Sequence, residues 1–146
     1  MVTNTQEEIT IGGVSIRFLV EGKSSGRSVA MFEFGVAPGG KVPIAHSHDA
    51  YEETLYGLKG TLTLTVDGVK TDLRSGDVLC IPRGAIHRFD NLSSASTRTL
   101  AILTPGLLGP DFFREVAAIM TASAGGSPKP ATIAEVMRRH GLTPAP

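Results

Sequence analysis

Apolar and polar residues alternate with a period of two along most of this chain, and the alternation stops near residue 105. Val14, Ile16 and Phe18 interleave with Ser15 and Arg17, and Ala30, Phe32, Phe34 and Val36 repeat the pattern across residues 28–36. Side chains two apart on a strand share a face, so each run predicts a strand with one side on a core. Further runs at 51–58, 61–66, 69–73, 77–81, 87–91 and 97–104 are separated by Gly, Pro and Asp-Gly. Asp67-Gly68 between β-branched residues predicts a two-residue hairpin. Thr61, Thr63 and Thr65 fall on one face of the strand before it, and Leu62, Leu64 and Val66 on the other. Eight to ten short strands at regular spacing predict an all-β fold, a double-sheet jelly roll or barrel.

Beyond Pro105 the period lengthens. Pro110 at a first helical position, Asp111 in the first turn, and Phe112, Phe113, Val116, Ala117, Ile119 and Met120 at helical spacing predict an amphipathic helix of about three turns. A second helix is expected after the linker 121–130, opened by Thr132 and Glu135 in capping-box positions and stopped by Gly141. The chain therefore reads as one domain, 1–146: a barrel over about 9–104, a helical extension over about 105–146, and a polar arm at residues 1–8. Both helices are expected to pack outside the barrel as core elements, without touching a substrate.

Composition supports many turns and short strands: 17 Gly and 9 Pro against 5% aromatics and no Trp. Fourteen basic and fourteen acidic residues cancel, which gives no electrostatic reason to expect nucleic acid or an anionic membrane as partner. No apolar segment approaches the ~18 residues that span a bilayer. The start, MVTNTQEE, lacks the basic and apolar regions of a secretory signal, so the expected compartment is cytoplasmic. The single Cys80, inside the apolar run VLCI, is expected to be a buried core thiol.

Two stretches carry chemistry. In 40–60, GKVPIAHSHDAYEETLYGLKG, His46 and His48 lie two apart and Glu53 opens the next strand. Two imidazoles on one strand face plus a carboxylate form a mixed N/O donor set for Zn, Mn, Fe, Co, Ni or Cu. In 76–91, GDVLCIPRGAIHRFDN, a strand and a Pro-Arg-Gly turn deliver a third imidazole, His87. Glu33, Tyr51, Tyr56, Arg17, Arg88 and Arg98 sit on strands that border any cavity and are expected to be surface residues.

Both stretches resemble the motifs of the cupin superfamily. Gly40, His46, His48, Glu53 and Gly60 fit its first motif, and Gly76, Pro82, Gly84, His87 and Asn91 its second. Glu52 also stands near His48, but only Glu53 keeps the six-residue gap to Gly60. The resemblance implies a jelly-roll barrel holding one divalent transition metal through His46, His48, Glu53 and His87, with Glu53 also the candidate catalytic residue. It further implies a homodimer, formed by sheet extension or exchange of a terminal strand. The Gly-Pro-Asp-Phe-Phe tail segment resembles, less specifically, single-domain quercetinase-like cupins. The expected function is a metal-dependent, dioxygenase-like enzyme acting on a small oxygenated aromatic or diketone substrate. The alternatives are a non-catalytic binding module and a cupin isomerase or lyase.

Overall fold

The structure is a computed structural model that describes residues 7–42, 44–123 and 128–146. Among the described residues, eleven strands and two α-helices follow in chain order. They are β1 (Ile9–Ile11), β2 (Val14–Val20), β3 (Ala30–Val36), β4 (His46–His48), β5 (Glu52–Lys59), β6 (Leu62–Val66), β7 (Val69–Leu73), β8 (Val78–Ile81), β9 (His87–Asp90), β10 (Thr97–Thr104), α1 (Pro110–Ala122), α2 (Pro130–Arg139) and β11 (Leu142–Pro144). Most of the expected arm, residues 1–6, and the middle of the expected linker, 124–127, lie outside the described residues.

Every ladder is antiparallel. One sheet has six strands in the order β1-β2-β3-β10-β5-β8, and the other has five, β11-β4-β9-β6-β7. The two sheets face each other as a jelly roll without closing into a continuous barrel. The period of two read from the sequence sets the layers. Phe32, Phe34 and Val36 of β3 and Thr99, Ala101 and Leu103 of β10 point inward, while Glu33, Arg98 and Leu100 point outward. Phe34 and Phe89 stack across the gap with ring centroids 5.1 Å apart. Each such fully buried apolar side chain contributes about 1.5–3 kcal/mol.

The hairpin at Asp67-Gly68 forms as expected: both residues have positive φ, 47° and 81°, and Val66 pairs with Val69 across the turn.

Three expectations need correction. Cys80 is exposed, because β8 is the edge strand of the six-stranded sheet and its alternation sends Leu79 and Ile81 inward and Val78 and Cys80 outward. The second helix begins at Pro130 with Lys129 as N-cap and no side-chain cap, so Thr132 lies inside the first turn. Gly141, at φ 82°, does end that helix, but the chain then forms β11 and pairs with β4. The C-terminal extension is thus not purely helical.

Candidate metal centre

His46 and His48 lie on β4, and His87 starts β9, where it pairs directly with His46. Their ligand-capable nitrogens all lie within 4.8 Å of one another. Ring centroids stand 5.2 Å apart for His46–His48, 4.7 Å for His46–His87 and 4.6 Å for His48–His87. Glu53 comes from the opposite sheet, on β5, and places Oε1 3.7 Å from His87 Nε2. The tight cluster among the described residues is therefore the three histidines, with Glu53 reaching it through His87. Glu52 faces the other way and pairs with Arg83 at 2.9 Å.

The motif residues that carry no ligand atom hold the geometry. Gly84 adopts φ 78°, a conformation that favours glycine, and its N–H donates to the His48 carbonyl at 2.9 Å. Asn91, fully buried, donates through Nδ2 to the Val36 carbonyl at 2.9 Å and the Ala95 carbonyl at 2.8 Å. On its outer edge β4 is covered by β11, with Leu142 opposite His48 and Pro144 opposite His46. Thr143 Oγ1 donates to Asp49 at 2.7 Å, and the Asp49 N–H donates to the Gly141 carbonyl at 3.2 Å. The final strand thus buttresses the strand that bears two of the imidazoles. Its three residues carry too short a pattern for sequence reading to find.

The donor set fits a divalent cation. His46 Nδ1–H donates to the Ile44 carbonyl at 2.8 Å and His87 Nδ1–H to the Ala85 carbonyl at 3.0 Å. That leaves an Nε2 lone pair free on each ring, the orientation a metal-ligating histidine needs. His48 Nδ1 is buried with no hydrogen-bond partner among the described residues. Burial, reinforced by the neighbouring imidazoles, pushes His46 down to about 4 and His48 to about 2. Burial also lowers His87, against the opposing pull of its bond to Ala85. Neutral imidazoles are the ligand form. Burial moves Glu53 in the opposite sense, up to about 7, because desolvation penalises the charged carboxylate, a cost that positive charge beside it would offset. A metal ion would supply that charge.

Tyr51 corrects a further expectation. It is 2% exposed, stacks on His48 at 4.6 Å, and its hydroxyl finds no partner among the described residues. Arg17, Glu33 and Arg98 do lie on the outer face of the six-stranded sheet, Arg17 donating to Glu33 at 2.8 Å and Arg98 also bonded to it. Tyr56 is outward as well, and Arg88 chelates Asp90 at 2.7 and 3.1 Å.

A cavity of about 90 Å³ opens beside the histidines. Its walls are mostly apolar and include Leu55, Leu64 and Ile81 from the two sheets and Phe112, Phe113, Val116, Ile133 and Met137 from the two helices. The helices therefore stand outside the sheets but form a wall of the cavity, a role beyond the core packing expected of them. Their apolar stripes were visible in the sequence; the direction those stripes face was not.

Residues 32–103 match the family described as Cupin domain. Over 77 residues, 53% of this chain, the sequence is 38% identical to the quercetin 2,3-dioxygenase of Bacillus subtilis, but that match covers 22% of the relative's length. Among solved structures, the chain resembles a sugar phosphate isomerase from Silicibacter pomeroyi, with TM-score 0.55 and 26% identity over 64% of this chain and 60% of that one. It also resembles a predicted oxalate decarboxylase from Thermotoga maritima, with TM-score 0.64 and 23% identity over 72% and 99%. Among the described residues no helix is long and apolar enough to cross a membrane.

Proposed function

We propose, from the match of residues 32–103 to the cupin domain family, that the chain is a divalent-metal-dependent, dioxygenase-like enzyme acting on a compact, apolar oxygen donor. The observation that carries this reading is the buried three-histidine cluster at one end of an apolar cavity, with a single carboxylate facing it. In this reading His46, His48, His87 and Glu53 hold the ion. Once bound, the ion supplies positive charge and open coordination positions to an anionic oxygen donor, a stabilisation of several kcal/mol in a water-poor site.

The protein's own groups do the rest. The imidazoles bind without giving up protons, since burial already keeps them neutral. Glu53 holds a proton up to about pH 7 and releases it when cationic charge arrives, so it is the group placed to accept the proton of an enol or diketone. The wall is mostly apolar, and among the described residues its one basic residue, Arg88, is engaged by Asp90, which leaves little to bind a phosphate or a sugar. Size narrows the class further. A cavity of about 90 Å³ is smaller than the ~150 Å³ that holds benzene, so a three-ring flavonol does not fit it and the smallest oxygen donors are favoured.

The test is oxygen uptake by protein reconstituted separately with Mn, Fe, Co, Ni, Cu or Zn, over small diketones, catechols and flavonols. Uptake with small diketones that disappears in Glu53→Ala supports the reading. Turnover without oxygen moves the assignment to isomerase or lyase chemistry. Tight binding without turnover leaves a binding module.

A further inference from the structure

A ligating imidazole has to be fixed twice, once by its backbone and once in the plane of its ring, and His48 differs from its two neighbours in the second respect. The bonds from His46 Nδ1 to the Ile44 carbonyl and from His87 Nδ1 to the Ala85 carbonyl, at 2.8 and 3.0 Å, settle the ring torsion that aims each Nε2. His48 Nδ1 is buried and has no such partner among the described residues. Its backbone is well held: the His48 carbonyl accepts from the Gly84 N–H at 2.9 Å, and Asp49, the next residue, is tied to Gly141 and to Thr143. The remaining freedom is rotation about χ2, a broad torsion with no sharp preference of its own.

The side chain laid against that ring is Tyr51. It is 2% exposed, sits in the turn between β4 and β5, and stacks on His48 with centroids 4.6 Å apart and the planes 24° from parallel. His87 meets the same imidazole edge-on, at 4.6 Å and 78°. Turning the His48 ring would drive its edge into the face of Tyr51, and close-packed interiors do not yield to that. The Tyr51 hydroxyl has no partner among the described residues, so the contact with His48 belongs to the ring.

We propose that Tyr51 is a positioning residue of the metal centre, its ring face orienting His48 in place of the carbonyl bond that orients His46 and His87. The inference rests on the reading that this cluster holds a divalent ion. It gives Tyr51 no contact with substrate; the residue acts through His48, and through its ring rather than its hydroxyl.

The experiment is titration of the full chain with Co(II), read by affinity and by the visible absorption band of the bound ion, in wild type, Tyr51→Leu and Tyr51→Phe. Tyr51→Leu should weaken binding by about 10-fold or more, within the ~10–100-fold range of a lost outer-shell partner, and shift the band. Tyr51→Phe, which keeps the ring, should restore both. Adding Tyr51→Leu to His48→Ala should weaken binding by no more than about 2-fold further, because the two substitutions act through one ring. Wild-type affinity and band in Tyr51→Leu overturn the inference, as does a Tyr51→Phe as weak as Tyr51→Leu. Loss of the same size on the His48→Ala background would mean general core damage and overturn it too. Should Tyr51→Leu fail to fold by circular dichroism, Tyr51→Met takes its place, and a shifted band in Tyr51→Phe still overturns the inference. A wild type that takes up no Co(II) overturns the metal reading itself, and this inference with it.

Discussion

Leu142 lies directly across from His48 in the ladder that joins β11 to β4, so the strand bearing two of the three imidazoles is held in place by a segment almost a hundred residues further along the chain. Leu142 is 2% exposed and its own side chain joins the cavity wall. Without β11, β4 would be an edge strand held only by β9.

Leu142→Ala should therefore cost about 2–5 kcal/mol of stability, as large-to-small core substitutions do, and should also loosen the metal site. Urea unfolding gives the first quantity, and metal titration of the folded variant the second. Stability lost with metal affinity unchanged would show that β11 supports the core without positioning His48.

The ligand set makes an ordered prediction. His87→Ala should lower metal affinity by more than the ~10–100-fold typical of losing an outer-shell partner. Glu53→Gln should weaken binding less, and Glu52→Gln, whose parent carboxylate faces Arg83, should leave it unchanged. Equilibrium dialysis with metal analysis checks the order. Loss of metal in Glu52→Gln with retention in Glu53→Gln would reverse the strand register.

These two carboxylates show how far the sequence could be read. Spacing alone separated Glu53 from Glu52, and the alternation of β5 places them on opposite faces. The Asp67-Gly68 turn was legible because both its residues need positive φ. Cys80 was not, because an apolar run does not reveal whether its strand is central or at an edge. Tyr51 was misjudged for a related reason: it sits between two strands, where the period of two lapses. Leu142, Phe112 and Met137 became part of the site through chain folding that no local pattern encodes.

The metal-free protein should lose stability as pH falls from about 6.5 towards 4.5. In that window the unfolded chain protonates His46 and His48, whereas the folded chain keeps both neutral, down to about 4 and about 2. Glu53 works the other way, staying protonated in the folded state up to about 7 and ionising near 4.5 when unfolded. For His46, His48 and Glu53, two protons taken up by the unfolded state against one held by the folded state leave a net of one, a slope of about 1.4 kcal/mol per pH unit, and the lowered His87 adds in the same direction. Urea midpoints of apo-protein across this range test the sign. Metal uptake near pH 6 should in turn release the Glu53 proton, measurable by calorimetry in buffers of different ionisation enthalpy.

The helical wall should set substrate size. Phe113 packs on Phe18, Phe32 and Phe112 at 5.8, 5.4 and 5.0 Å and lines the cavity, so Phe113→Ala should enlarge the space beside the metal. Activity should then extend to bulkier diketones and catechols, at a stability cost of up to about 3–5 kcal/mol. An unchanged substrate range in folded Phe113→Ala would place the substrate away from this wall.

The central claim, that these four side chains converge on one ion, is tested most directly by anomalous scattering from a crystal of the protein as isolated. The account predicts a single transition-metal peak between the two sheets, about 2.0–2.2 Å from a nitrogen of each of His46, His48 and His87 and from a Glu53 oxygen. The same peak should be missing in His87→Ala. An empty cluster in metal-supplemented wild-type protein, or a peak held by other residues, would contradict it.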